Sequence, residues 1–483
     1  MNRKYQQCAL AVAVMLSAHV MAAAALLVLS TTVDAQNVDR QEKPAAHLIT
    51  ANPSGRLQTS NAAGLIDPDN PFFASLGSNG RSCSSCHRQK QGWALSADEV
   101  RERFEASKGR DPLFALIDAA VTPLADTSTL EARRAAYAML LSRGVLRVGI
   151  PMPAKAEFQL TAVDDPYGYA SARELSLFRR PLPATNLIWV TSVMWDGRET
   201  YSPFEPPMDA GLDFANVQAS LTSQAIHAIV GHEQATSMPD PATIARIVDF
   251  ESHLFTAQYE DNVAGRLNNG GGMGGASILA QQRFWVGIND VLGKDPTQEP
   301  FDAKAMRLFD DWQDEYVQPG ATASHVARAS IARGEQLFNN LPMAITGVAG
   351  LNDVTGQAVF QGTCSSCHNS PNIGNQSVAQ PMNIGTAGSR RRSLSVPLYT
   401  LTRFSTGEVV QTTDPGVALI TGKWADIGKF KGPTLRGLAA RPPYFHDGSA
   451  TTLMDVVNFY NGRFAMHLTD EQKGDLVAFL GAL

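Results

Sequence analysis

The pentapeptide CSSCH occurs twice, at Cys83–His87 and at Cys364–His368, and the two copies use four of the five cysteines in a chain of 483 residues. In C-x-x-C-H, two thiols can form thioethers to the vinyl groups of one haem while the adjacent imidazole meets the iron from one face. Two redox disulfides or a zinc site compete for the same residues. A thioredoxin-like disulfide wants a βαβ context, and a four-cysteine zinc site does not require histidine after both pairs. The repeat therefore predicts two covalently bound haem c groups, with Cys83, Cys86, Cys364 and Cys367 binding the cofactor and His87 and His368 as iron ligands.

Residues 1–35 read as a cleaved secretory leader: Arg3 and Lys4 open it, an apolar run covers most of Ala9–Ser30, and Val33-Asp34-Ala35 offers a cleavage site. The expected location is the periplasm. An uncleaved anchor is the competing reading, against which His19 and two serines interrupt the run. Cys8 precedes the run and so is not placed as a lipid-modified cysteine would be. At 44% hydrophobic and 18% charged residues the composition is globular. The formal net charge is −6 and the longest basic run is Arg390-Arg391-Arg392, which argues against nucleic-acid binding and is compatible with a basic redox partner. The oligomeric state is left open.

The remaining segments read as helices joined by long Pro/Gly-rich loops, so the expected class is mainly α, with two cytochrome c-like haem domains and helical and loop insertions. Within Asp240–Gln258, Ile244, Ile247, Val248, Phe250 and Leu254 approximate helical spacing, and Thr469 with Gln472 forms a capping box before a terminal helix. The glycine-rich stretch Asn268–Gly275 follows a helical pattern rather than a strand, so it reads as a flexible loop and not a dinucleotide site. A boundary near Gly320–Ser324 divides residues 36–320 from residues 321–483.

The C-terminal stretch FKGPTLRGLAARPPYFHDGSATTLMDVVNFYNGRF, residues 430–464, resembles the signature of the bacterial di-haem cytochrome c peroxidase and MauG superfamily. Trp195-Asp196-Gly197-Arg198, with Asn186 before it, resembles the WDGR element of the N-terminal haem domain of that family. Residues 100–175, 201–220 and 259–325 look like additions. The resemblance implies an N-terminal haem that reacts with hydrogen peroxide, a C-terminal haem that relays electrons, and Trp195 between them; from the residues alone Trp195 reads as core filling. It also implies a haem-binding role for Arg436 in the FKGPTLRGL motif, and distal catalytic residues at Gln224, within Leu221-Thr222-Ser223-Gln224-Ala225, and at Glu233 or Gln234. Solvated helix polar groups are the alternative for these last residues.

After His87 the next histidine is His227, so the first iron is expected to have an open face, unless His227, His232 or a methionine closes it. Fourteen residues after His446, where the peroxidases place methionine and MauG tyrosine, stands Tyr460; Met454, Met466 and His467 are rival ligands of the second iron, and a core aromatic is the alternative for Tyr460. Calcium is doubtful, because the position matching an Asn ligand of many members is Arg180, next to carbonyls expected from Arg441 and Pro443. The reading is an oxidoreductase using peroxide and a small redox protein or organic donor. A di-haem electron carrier with both irons closed and a haem oxygenase of the rubber-cleaving kind are the alternatives.

Overall fold

Helix ends follow local chemistry. The helix Asp470–Gly481 begins where the capping box predicts: Thr469 accepts from the Gln472 N–H, and the Gln472 side chain accepts from the Thr469 N–H. The helix Ala323–Asn340 starts on a matching device at Thr322 and packs along the terminal helix. The two backbones approach most closely at Gly334, where an added Cβ would stand 2.0 Å from the Asp475 carbonyl oxygen. Ile331, Phe338, Leu476, Phe479 and Leu480 close the core on either side of that contact.

The computed structural model describes residues 46–200, 214–313 and 320–483, so the predicted leader lies outside the described residues. Residues Ala45–Leu483 form one compact unit. The mainly α expectation holds only in part, because four small antiparallel sheets accompany the helices among the described residues. The largest runs in the order His47–Asn52, Gly55–Asn61, Leu254–Asp261, Gly265–Arg266. A second orders Val409–Thr412, Leu398–Arg403 and Phe158–Asp164, which joins the insertion to the segment after the second CSSCH. Leu146–Ile150 pairs with Leu175–Arg179, and Met343–Thr346 with Val359–Gly362.

The helix predicted over Asp240–Gln258 runs only from Pro241 to Ser252. Leu254, counted in the helical stripe, instead opens the strand Leu254–Asp261, whose sequence LFTAQYED carries the aromatic and β-branched residues that suit a pleated, buried surface. That strand positions the next functional segment. Asn186, in the left-handed region at φ 60°, exchanges two side-chain hydrogen bonds with the backbone of Thr256, and its own N–H donates to Leu254 O. Asn tolerates this backbone better than most residues, so it can turn the chain into the stretch that carries Trp195.

The glycine-rich loop at 268–275 is pinned by Trp312, whose Nε1 donates to the carbonyls of Asn269 and Gly270. Among the described residues no helix is long and apolar enough to cross a membrane.

Candidate functional site

Each CSSCH folds as one short 3-10 turn, at Cys83–Ser85 and Cys364–Ser366, closed by reciprocal bonds between Ser82 and Ser85 and between Thr363 and Ser366. The histidine N–H then donates to the first cysteine carbonyl, at 3.0 Å for His87 and 3.1 Å for His368. Each imidazole is held from behind. His87 Nδ1 lies 3.0 Å from Trp93 O, and His368 Nδ1 lies 2.6 Å from Gly374 O. A carbonyl at Nδ1 places the proton there and leaves Nε2 as the free ligand nitrogen.

The two turns head separate cavities, of about 180 Å³ for the first and about 210 Å³ for the second. The second is lined by Cys364, Cys367, His368, Met382, Leu453, Val457 and Tyr460, a largely apolar wall. Burial pushes the Cys364 and Cys367 thiols up to about 12, and it also raises the Cys83 and Cys86 thiols, with the Glu233 charge adding to the rise at Cys83. A redox dithiol needs the opposite shift. Among the described residues no group of three or more His, Cys, Asp or Glu side chains could hold a metal ion, so the four thiols do not converge on zinc. Paired thiols and a pinned histidine at the wall of each apolar cavity fit haem c.

The shared wall adds charge complementarity. Arg180 and Lys431 line both cavities and Arg441 lines the second. Their bonds go to backbone carbonyls: Arg180 to Gly144 and Arg441, Lys431 to Ser192, Arg441 to Thr434. Among the described residues none of the three has a carboxylate within ion-pair distance. Burial lowers Arg180 to about 9, Lys431 to about 8 and Arg441 to about 10. Cations without anions at the cavity walls suit the propionates of haem. The same Arg180 guanidinium lies 3.2 Å from Arg441 O, as expected, and 3.4 Å from Pro442 O rather than on the expected Pro443 O, and its charge does not fit a dication there.

The predicted site residues fall as follows. Cys83, Cys86, His87, Gln224 and Glu233 line the first cavity, and Cys364, Cys367, His368 and Tyr460 the second. Trp195 lines both, and its Nε1 donates to Arg180 O at 2.8 Å. Glu233 is 3% exposed, so it is not a surface group. Its Oε2 accepts from Leu76 N, yet burial outweighs that bond and raises its pKa. Met466 joins Tyr460 in the second wall, whereas Met454 and His467 do not line it. His227 pairs with Glu199 outside the first cavity, while His232 lines it. Arg436 is buried with Nε donating to Asn372 O, and it lines neither cavity.

Glu251 was not foreseen. It lines the first cavity fully buried, its Oε1 has no hydrogen-bond partner among the described residues, and burial raises its carboxyl to about 8. A carboxylate on the apolar stripe of Ile247 and Val248 is the signal that could have found it.

No protein-family model matches the chain. Over 134 residues it is 34% identical to the cytochrome-c peroxidase IdrP2 of Denitromonas iodatirespirans, covering 26% of this chain and 36% of that one. Over 137 residues it is 30% identical to the cytochrome c551 peroxidase of Nitrosomonas europaea, covering 27% and 34%. The matched part thus spans little more than a third of these relatives. Among solved structures, a MauG-like protein associated with microbial copper homeostasis aligns over 86% of this chain and 87% of its own, with 16% identity and a TM-score of 0.35.

Proposed function

On the premise that this chain is a relative of the bacterial di-haem cytochrome c peroxidase and MauG superfamily, we propose that it is a periplasmic di-haem oxidoreductase that reacts with hydrogen peroxide in the His87 cavity and passes electrons through the His368 cavity. One observation carries the reading: two cavities, each headed by its own CSSCH histidine, share Trp195 as a wall, and the carboxyl Glu233 and the amide Gln224 line the first. Haem, held by Cys83, Cys86 and His87 in one cavity and by Cys364, Cys367 and His368 in the other, supplies the redox-active iron.

The protein's own contribution is proton handling and positioning. Cleavage of the peroxide O–O bond needs a proton moved from one oxygen to the other so that water can leave. Glu233, whose pKa burial raises, can take and return that proton, and the Gln224 amide can orient the peroxide. Trp195, locked through Nε1 to Arg180 O, offers the aromatic contact between the two sites. Glu233→Gln should slow the peroxide reaction by roughly a hundredfold while both haems stay attached. Stopped-flow mixing with peroxide reads this directly, and a wild-type rate in the variant would remove Glu233 from the reaction.

Tyr460 favours MauG-like oxidation of an organic or protein substrate over plain peroxide removal. An anionic oxygen ligand stabilises the ferric state more than a thioether does, which lowers the potential. In the protein alone burial and the nearby Cys367 and Cys364 push the phenol up, so its ionisation depends on a cation in the same cavity. Tyr460→Phe is expected to alter the low-spin spectrum and raise the potential of the second haem alone. An unchanged low-spin signal would hand the role to Met466, the rival that shares the wall.

A further inference from the structure

The peroxide reading leaves the outer wall of the His87 cavity without a role, and it leaves Glu233 without a route for protons. Glu233 is 3% exposed, and its carboxylate contacts are Leu76 N at 2.8 Å and the Cys83 sulfur at 3.7 Å, neither of which leads to solvent. The preceding residue is different. His232 lines the same cavity with a side chain 46% exposed, at a rim where Asn79 donates to His232 O and to Gln234 Oε1.

His232 is held in place from an unexpected direction. Its Nδ1 lies 2.6 Å from Asp118 Oδ2, a buried carboxylate contributed by the insertion at residues 100–175. Arg81, two residues before Cys83 and also buried, grips the same carboxylate through Nη1 at 2.8 Å while its Nε donates to Pro112 O. Burial on its own would raise the Asp118 carboxyl, but the hydrogen bonds and charges of His232 and Arg81 more than offset that and hold it below its ordinary value. An anionic Asp118 keeps the hydrogen on Nδ1 and leaves Nε2 as the nitrogen that gains and loses a proton.

We propose that His232, oriented by Asp118, is the proton inlet of the His87 cavity, an acid–base residue that exchanges protons between solvent and Glu233. The proposal rests on the peroxide reading of that cavity. In each passage a proton leaves water for Nε2, and the imidazolium then gives it to the Glu233 carboxylate; no bond between heavy atoms changes and no electron moves. The ionisable groups that bear on His232 are Asp118 from the insertion, Arg81 and His87 from the first CSSCH loop, and Glu233 beside it. The insertion, which looked like decoration in the sequence, thereby supplies the residue that positions the inlet.

The test uses the full-length holoprotein with His232→Ala, His232→Gln and Asp118→Asn, following the peroxide reaction and the association of cyanide, since hydrogen cyanide must leave its proton on a pocket base. Both His232 variants should keep two haems and the wild-type ferric spectrum and slow both reactions by roughly a hundredfold. Added imidazole should restore His232→Ala. Asp118→Asn should slow the same reactions by roughly tenfold without loss of haem. Wild-type rates in His232→Ala overturn the proposal, and so does a slowed variant that imidazole does not restore. A changed ferric spin state on replacing His232 also overturns it, by making the residue an iron ligand. If the wild type is inert to peroxide but His232→Ala still slows cyanide, the peroxide reading fails and the inlet stands.

Discussion

Replacing Cys83 and Cys86 together by alanine is expected to leave a protein carrying one haem per chain, and replacing Cys364 and Cys367 is expected to do the same at the other end. The two thiol pairs head different cavities, each with its own histidine, so neither can substitute for the other. Thiols with raised pKa values are poor partners for disulfide exchange, in keeping with the proposed thioether role. The loss should extend to stability. In the second cavity Leu453, Val457 and Leu480 face the space a haem would fill, and uncovering such side chains costs about 1.5–3 kcal/mol each at full exposure. A pyridine haemochrome assay per chain, before and after acid–acetone extraction, checks the first claim. Haem extracted from the wild-type protein by that treatment would sink it.

What the sequence revealed and what it hid divide by range. CSSCH is a five-residue unit whose turn, cap and histidine anchor are nearly all local, so the pattern already specifies the geometry seen twice here. The capping box at Thr469 and Gln472 is legible for the same reason. Leu453, Val456, Val457 and Tyr460 share a helical face by spacing alone, and all four line the second cavity. The strands were hidden because they are short, mostly four to seven residues, and several lie in segments with no simple alternation. Leu254 fitted a helical stripe until the chain changed period two residues after the helix ended. The Asp118–His232 pair joins side chains far apart in the chain, and no local pattern announces such a contact. Arg436 lies in a visible motif, and in the fold its Nε donates to Asn372 O while it lines neither cavity.

Arg179→Met is expected to cost about 3–5 kcal/mol, because it removes one cation from a buried cluster, leaving Asp196 with Arg198 alone and Asp414 without its cation. Arg179 reaches Asp414 through Nε and Nη2 at 2.7 and 2.8 Å and Asp196 through Nη1 at 2.5 Å, and all three residues are buried. Arg198 supplies the second positive charge to Asp196 at 3.0 Å. Burial alone would raise Asp196, and the charges of Arg179 and Arg198 hold it below its ordinary value instead. A carboxyl depressed in the fold adds stability above its unfolded pKa of about 3.9 and loses it as pH falls through the lower folded value, so the wild-type contribution should fade only in acid. The consequence reaches the shared wall. Asp196 follows Trp195 in the chain, and Trp195 Nε1 donates to the carbonyl of Arg180, so the dipeptide Arg179-Arg180 ties down the dipeptide Trp195-Asp196 at two points. Arg179→Lys keeps the charge but cannot span Asp414 and Asp196 together, and it should fall between wild type and Arg179→Met. Thermal unfolding at neutral pH orders the three proteins, with electron transfer between the haems slowing in the same order. A melting temperature unchanged in Arg179→Met would show that the cluster adds nothing to the fold and that Trp195 is held by its hydrogen bond to Arg180 alone.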